Sequence, residues 1–199
     1  MAHSTTQISL LSCDLALFEL AVQNPAALEE RIGARITSGW ENFAGAMKVS
    51  LEKLQANPAL AGWWTHLLIV GQPPMVAGVC GYTGPPSADG VVEIAYGIAP
   101  SYQGQGLATL AAAELTRRAF DDARVRVVCA HTLPEHNAST RILEKLGMRF
   151  AGFANDPDEG PVWRWELTRK DDSTVSGRPC LKTALAALGS SSPGSTAKA

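Results

Sequence analysis

The sequence predicts an α+β domain built around a mixed, mainly antiparallel central sheet flanked by helices. Three observations carry this reading. Strand-like and helix-like segments alternate in the order β, two or three α, ββ, β, α, β, α, ββ. A glycine-rich stretch, Gln103-Gly104-Gln105-Gly106-Leu107-Ala108, joins an extended segment to an apolar-periodic helix. Two further strand-like segments, Arg149 to Ala154 and Val162 to Leu167, close the pattern as an antiparallel pair across the polar turn 155–160.

The elements follow in order. Ile8 to Leu11 reads as a short first strand, and Asp14 as the cap of a helix carrying Leu15, Leu17, Phe18, Leu20, Ala21 and Val22. Pro25 opens a second helical stretch, Ala26 to Ile36, and Gly39-Trp40 breaks it. Glu41 to Ala56 is helical again, with Phe43, Met47, Leu51 and Leu54 at three- and four-residue steps, and Asn57-Pro58 stops it. Trp63 to Val70 and Met75 to Tyr82 are strands separated by the turn Gln72-Pro73-Pro74. After the loop Gly84 to Gly90, Val91 to Ala99 is extended. The helix beyond the glycine stretch runs to about Ala123 and buries Leu107, Leu110, Ala111, Leu115 and Ala119. Arg124 to Ala130 alternates and then turns apolar, as a strand near a sheet centre does. Past Arg169 the composition shifts: Leu181, Leu185 and Leu188 suit a short amphipathic helix, and Ser190 to Ala199 is too poor in apolar residues to fold alone. The expected organisation is one domain over residues 1–170 and a tail over 171–199.

Composition narrows the function. The chain has 199 residues, an apolar fraction of 46% and a net charge of −2 from 17 basic and 19 acidic residues. The charges are mixed, with no basic stripe to hold a phosphate backbone, so nucleic acid is not the expected partner. No apolar run approaches the length of a membrane span. Cys13, Cys80, Cys129 and Cys180 show neither CxxC pairing nor zinc-ligand spacing, which favours free thiols in a reducing compartment and no metal site. The expectation is a soluble, cytoplasmic protein.

A strand that turns through glycines into a helix leaves backbone N–H groups unpaired and pointing one way, a ready site for phosphate oxygens. Gly104 and Gly106 lack a Cβ, so the backbone there can take unusual dihedrals and approach a ligand closely. A Walker loop is excluded because Leu107-Ala108 follow Gly106 where Lys and Ser or Thr are required. The spacing of a dinucleotide fingerprint is also absent. The alternatives are an anion cradle and an ordinary tight turn.

Read as Gln103-x-x-Gly106-x-Ala108, the stretch resembles the acyl-CoA pyrophosphate loop of the GCN5-related N-acetyltransferase (GNAT) superfamily. Val92 to Pro100 resembles the strand leading into that loop, and Ala130 to Asn137 the end of the next strand and its turn. Asn137-x-Ser139-x-Arg141-Ile142-Leu143-Glu144-Lys145-Leu146-Gly147-Met148 is similar to the following helix in the RimJ/RimL-like subgroup, which holds protein N-terminal acetyltransferases and many small-molecule relatives. The resemblance covers roughly Gln7 to Arg169.

The resemblance implies a sheet whose central parallel strands splay apart to admit acetyl-CoA, and transfer of its acetyl group to an amine acceptor. Gln103, Gly104, Gln105, Gly106, Leu107 and Ala108 would hold the pyrophosphate, with a hydroxyl from Thr109. Main-chain groups of Ile98 and Ala99 would hold the pantetheine arm and thioester oxygen. Asn137 would bond the pantetheine arm besides capping its helix, and Ser139 and Arg141 would reach the CoA phosphate side. Glu93, a carboxylate in an apolar strand, is either the proton acceptor acting through water or a buried glutamate bonded to a neighbour. A tyrosine that protonates the departing thiolate in many members is replaced here by Glu144. His131 and His136 flank the end of the strand ahead of Asn137; they either contact the acceptor or relay protons, or are structural or exposed. Homodimerisation follows from family habit alone. A non-catalytic CoA-binding module, or an enzyme using another acyl chain or an oxygen acceptor, remains the competing reading.

Overall fold

The computed structural model describes residues 7–157 and 159–169. The tail expected beyond residue 170 and Asp158 lie outside them. The first strand, β1 (Ile8–Ser12), is followed by helices α1 (Leu15–Gln23) and α2 (Pro25–Ile32), the two-residue strand β2 (Arg35–Ile36) and α3 (Ala44–Ala56). Next come β3 (Thr65–Val70), β4 (Met75–Tyr82), β5 (Val91–Ile98), α4 (Leu107–Asp121), β6 (Val127–Thr132) and α5 (Ala138–Lys145). The hairpin β7 (Arg149–Asp156) and β8 (Gly160–Thr168) ends the fold.

Local chemistry sets the boundaries. Asp14 caps α1 by accepting from the Leu17 N–H at 2.9 Å. Helix α2 stops at Ile32, earlier than the pattern to Ile36 suggests, because Gly33 takes the left-handed conformation (φ +66°) that ends helices. The stretch expected as helix from Glu41 begins as a 3-10 turn, Trp40–Phe43. Strand β6 starts at Val127 rather than Arg124, since Arg124 is tied to Asp122 and Val125 N–H bonds the Asp122 carbonyl. On α4 the buried seam runs through Leu107, Ala111, Ala112, Leu115 and Ala119. Leu110, expected in that seam, is exposed because it falls outside the row of four-residue steps.

The sheet order is β1-β3-β4-β5-β6-β8-β7, with β2 paired parallel to β4. All other pairings are antiparallel except β5 with β6. Helices α4 and α5 cover one face through a core that includes Leu68, Cys80, Val92, Ile94, Leu115, Val128 and Leu143. Helices α1 to α3 cover the other face over β3 and β4, through Phe18, Leu28, Met47, Leu54, Leu67 and Val79. A buried Ser50–Thr65 hydrogen bond of 2.8 Å pins α3 to β3. The Tyr82 hydroxyl donates to the Leu115 carbonyl at 2.8 Å and ties α4 to β4. The described cysteines, Cys13, Cys80 and Cys129, are buried and unbridged.

At the outer edge, β7 carries a bulge between Phe150 and Gly152. The extra residue turns Phe150 and Phe153 to the same side, against Trp163 and Trp165.

His66 lies beneath α4 and is 3% exposed. Its Nδ1–H donates to the Trp64 carbonyl at 2.9 Å. Burial pushes the imidazole down to about 4, the Trp64 carbonyl pulls it back, and Arg118 pushes it further down. The unfolded chain takes up a proton near 6.5, which the folded chain refuses until about pH 4. The associated stability is therefore complete above pH 6.5 and is lost as pH falls through that window, by about 3 kcal/mol at ~1.4 kcal/mol per pH unit. Urea unfolding between pH 7 and pH 4 should show this decline, and His66→Gln should flatten it.

Candidate active site

Strand β5 is shared unequally between its neighbours. It pairs with β4 over Ile94 to Ile98, but with β6 only at Val91–Val127, Val92–Val128 and Glu93–Cys129. Beyond Glu93 the parallel strands part. The Glu93 carbonyl and the Ala99 N–H both bond toward β4, to Thr83 N–H and the Ala77 carbonyl. Peptide groups alternate in direction along an antiparallel ladder, so those of Tyr96 and Ile98 face the gap. This corrects the expectation for Ala99. Its N–H is taken by Ala77 at 2.9 Å, its carbonyl accepts from Tyr102 at 2.8 Å, and the residue is buried. Ile98 does border the gap, with its carbonyl accepting from Gln103 Nε2 at 2.9 Å.

The chain leaves β5 through Pro100 and enters α4 through the glycine loop. Gly104 and Gly106 have φ of +73° and +78°, a region that side-chain-bearing residues avoid. A Cβ on either would meet nothing within 4 Å, so the loop faces open space. Gly106 caps α4 without a side chain, and the first helical bond runs from Leu110 N–H to the Gly106 carbonyl. The N–H groups of Leu107, Ala108 and Thr109 thus precede the intrahelical ladder, at the positive end of a 15-residue helix. Gln105 Nε2 donates to the Ser101 carbonyl at 3.2 Å, closing the loop on its own base. Leu107 is buried and anchors the turn. On the outer side, Thr37 bonds Ser101 at 3.2 Å, and Gly39 packs so near Pro100 that a Cβ there would lie 3.1 Å from the ring.

Asn137 forms a capping box on α5. Its side-chain oxygen accepts from the Ser139 and Thr140 N–H groups at 2.9 and 3.1 Å, and Thr140 Oγ1 accepts from the Asn137 N–H. Only its side-chain NH2 remains to bond anything else. Ser139 of α5 interacts with Tyr96 of β5 closely enough to favour its ionised form. Burial raises Tyr96 to about 12, with Ser139 opposing. Arg141 and Glu144 are exposed.

Glu93 sits where the strands part, on the face opposite Tyr96. Its side chain is 13% exposed, and Oε1 lies 2.7 Å from His131 Nδ1. Thr83 Oγ1 donates to Oε2 at 3.3 Å. Next on this face are Arg164 and Glu166 of β8, ion-paired at 2.6 Å and opposite His131 and Cys129 in register. The structure therefore brings Glu93, Ile98 and the 103–109 loop to one end of the sheet, with Asn137 and Ser139 across the gap. Sequence reasoning missed the engagement of His131 with Glu93. The available signal was that each is the lone polar residue at the same phase of two neighbouring strands, but it needs the β5–β6 register to be read. Among the described residues no group of three or more His, Cys, Asp or Glu side chains is placed to hold a metal. None of the described helices is long and apolar enough to cross a membrane.

The acetyltransferase (GNAT) domain profile matches residues 14–149. A Bacillus subtilis (strain 168) protein described as the uncharacterized N-acetyltransferase YjdG is 24% identical over 145 residues, covering 72% of this chain and 86% of that one. Among solved structures, a chimeric spermidine N-acetyltransferase SpeG from Vibrio cholerae matches with a TM-score of 0.58 at 14% identity, over 81% of this chain and 95% of that one. RimL, a ribosomal-protein α-N-acetyltransferase in complex with coenzyme A, matches with a TM-score of 0.55 at 18% identity, over 86% and 98%. At such identities the likeness to solved structures is one of fold.

The Asn137 cap is separable from any role of its NH2 group. Asn137→Ala should lower stability by about 1 kcal/mol, whereas Asn137→Asp, which keeps the accepting oxygen, should stay near wild type in urea or thermal unfolding.

Proposed function

The chain belongs to the GNAT acetyltransferase family, and on that premise we propose that it moves an acetyl group from acetyl-CoA to a primary amine. The acceptor is a small-molecule amine or a protein N-terminal α-amine, and it attacks the thioester directly. The observation that carries this reading is a coincidence of position. The uncapped amides opening α4 lie at the end of β5, the strand that parts from β6. In this reading the diphosphate lies at the first and the acyl arm along the second.

The residues present fit coenzyme A. The loop faces open space, its glycines carry the required dihedrals, and its amides precede the helical ladder. In this reading Leu107, Ala108 and Thr109 hold the diphosphate, with the helix end favouring the anion by ~0.3–1 kcal/mol. The side-chain amides of Gln103 and Gln105 brace the loop on the carbonyls of Ile98 and Ser101, and the main-chain N–H groups of Gln105 and Gly106 join the cradle. Peptide groups of Tyr96 and Ile98 line the acyl arm in place of Ala99, and an N–H aimed at the carbonyl oxygen stabilises the developing oxyanion. The NH2 of Asn137 bonds the arm, Ser139 flanks it, and exposed Arg141 reaches toward the phosphates. When bound, acetyl-CoA supplies the activated acyl thioester. Glu93 stands at the mouth of the gap on the acceptor side and takes the amine proton through water.

The RimJ/RimL-like placement rests on the Asn137-to-Met148 pattern. It favours an acceptor that is easily deprotonated. An α-amine near pKa ~8 costs about 1 kcal/mol to deprotonate at pH 7, against roughly 4–5 for a lysine amine. We place the enzyme in the cytoplasm.

Two measurements test the proposal. Calorimetry should detect coenzyme A binding by the wild-type chain. Gly106→Val, which forces a β-branched residue to φ +78°, should weaken it by roughly 5- to 150-fold, since such strain costs ~1–3 kcal/mol. Thiol release from acetyl-CoA should then rise with at least one of spermidine, kanamycin or short peptides with free N termini. Binding without turnover on any of them would favour a CoA-binding module, and absence of binding would remove the reading altogether.

A further inference from the structure

The glycine loop is held from outside its own strand–loop–helix connection. Its base is the 3-10 turn Pro100–Tyr102, and Ser101 in that turn is bonded at two points. The Ser101 hydroxyl meets the Thr37 hydroxyl at 3.2 Å, a contact between residues 64 positions apart in the chain. The Ser101 carbonyl accepts from Gln105 Nε2 at 3.2 Å. One residue, Ser101, thus connects Thr37 to the cradle that Gln105 and Gly106 begin. Two positions beyond Thr37, Gly39 has φ +89°, and a Cβ there would lie 3.1 Å from Pro100 Cδ and 3.4 Å from Asn42 Nδ2. Proline Cδ is bonded to the backbone nitrogen, so the atom in the way moves with the loop and cannot swing clear of it.

The segment that carries Thr37 and Gly39 is anchored on both sides. Before it, Arg35 and Ile36 pair with Met75 and Val76 of β4. The Arg35 N–H donates to the Pro74 carbonyl at 3.0 Å and the Ile36 N–H to Glu29 Oε1 at 2.6 Å. After it, Trp40 meets the buried Phe43 edge-on, in the core under α1 to α3. Thr37 itself is buried. Gln103 and Gln105 bond nearby carbonyls of the loop's own connection and so set its shape. Thr37 and Gly39 set where its base stands against the α1–α3 layer. Glycine loses more backbone freedom on ordering than any other residue. A loop with two glycines therefore binds an anion better when its base is fixed beforehand.

We propose that Thr37 and Gly39 are positioning residues for coenzyme A, holding the base of the glycine loop so that the amides opening α4 stand aligned before the diphosphate binds. The inference rests on the acetyltransferase reading above and deepens it. Thr37 acts through its hydroxyl on Ser101, and Gly39 acts by having no side chain where Pro100 passes. Neither takes part in bond making or breaking. Their loss weakens the hold on the coenzyme, while the chemical step at the parting of β5 and β6 keeps its rate once coenzyme saturates.

Calorimetry with coenzyme A on the full chain is the first test. Thr37→Val keeps the branched shape and removes the hydroxyl; it should raise Kd roughly 2- to 13-fold, the equivalent of one ordinary hydrogen bond. Thr37→Ser, which keeps the hydroxyl, should stay near wild type. Gly39→Ala should weaken binding at least as much as Thr37→Val. Its control is Gly62→Ala. Gly62 has a similar φ of +92°, but a Cβ there meets Ser12 Oγ at an ordinary 3.8 Å. That variant carries the backbone strain away from the loop and should bind as the wild type does. Wild-type affinity in Thr37→Val, equal losses in Thr37→Ser and Thr37→Val, or equal losses in Gly62→Ala and Gly39→Ala would each overturn the proposal. With the best acceptor of the panel above, Thr37→Val should raise the KM for acetyl-CoA and leave kcat near wild type. A lower kcat at unchanged KM would mean loss of folded enzyme and no positioning role. Should Gly39→Ala lose its fold, the two Thr37 variants still decide. A wild-type chain that takes up no coenzyme A defeats the acetyltransferase reading itself, whereas wild-type uptake with unaffected variants defeats this inference alone.

Discussion

The hydrogen-bond ladder between β5 and β6 stops after three residue pairs, and the placement of the candidate site follows from that stop. Each strand is held on its other side, β5 by β4 from Tyr82 to Gly78 and β6 by β8 from Thr168 to Trp163. The two halves of the sheet can therefore separate without either strand losing its support. Below the stop, Val91, Val127 and Cys129 form a small closed apolar cluster. Above it, peptide groups of Tyr96 and Ile98 face a gap in place of a partner strand. Buried peptide groups are normally paired, so such an edge is retained only where something else satisfies it.

The walls of the gap are braced before any ligand arrives. Gln103 and Gln105 spend their side chains on the carbonyls of Ile98 and Ser101, and Leu107 plugs the core beneath the loop. Across the gap, the reciprocal bonds of Asn137 and Thr140 set the first turn of α5. Preorganised donors cost little reorganisation at the moment of reaction, and this is how backbone amides become effective in catalysis. The far end of α4 is secured too, where Arg169 bonds the carbonyls of Asp122 and Val125 and lies over the Phe120 ring.

Much of this was legible in the sequence, for local reasons. Strand β4 begins and ends at Met75 and Tyr82 as read, because a proline turn precedes it and a Gly-Pro loop follows. Asp14 and Asn137 announced their helices because capping is a property of one residue and its next three. The Gly33 stop is equally local, although the apolar pattern continues past it to Ile36. What stayed hidden depends on register across strands. That Ala99 spends its N–H on Ala77, and that His131 meets Glu93, cannot be found from periodicity, since each statement concerns two segments whose alignment is fixed only by the assembled sheet. Leu110 misled for a related reason. It is apolar and near the seam, but its angular position on α4 takes it out of the interface.

The irregularity in β7 bears on how this molecule can meet a copy of itself. A regular outermost strand offers a template on which another chain can continue the sheet. Here the extra residue between Phe150 and Gly152, with Gly152 at φ +125°, puts the outward amides and carbonyls out of step partway along. A strand arriving from outside can match the segment before the kink or the one after it, but not both, so sheet-by-sheet polymerisation has no long uninterrupted track to follow.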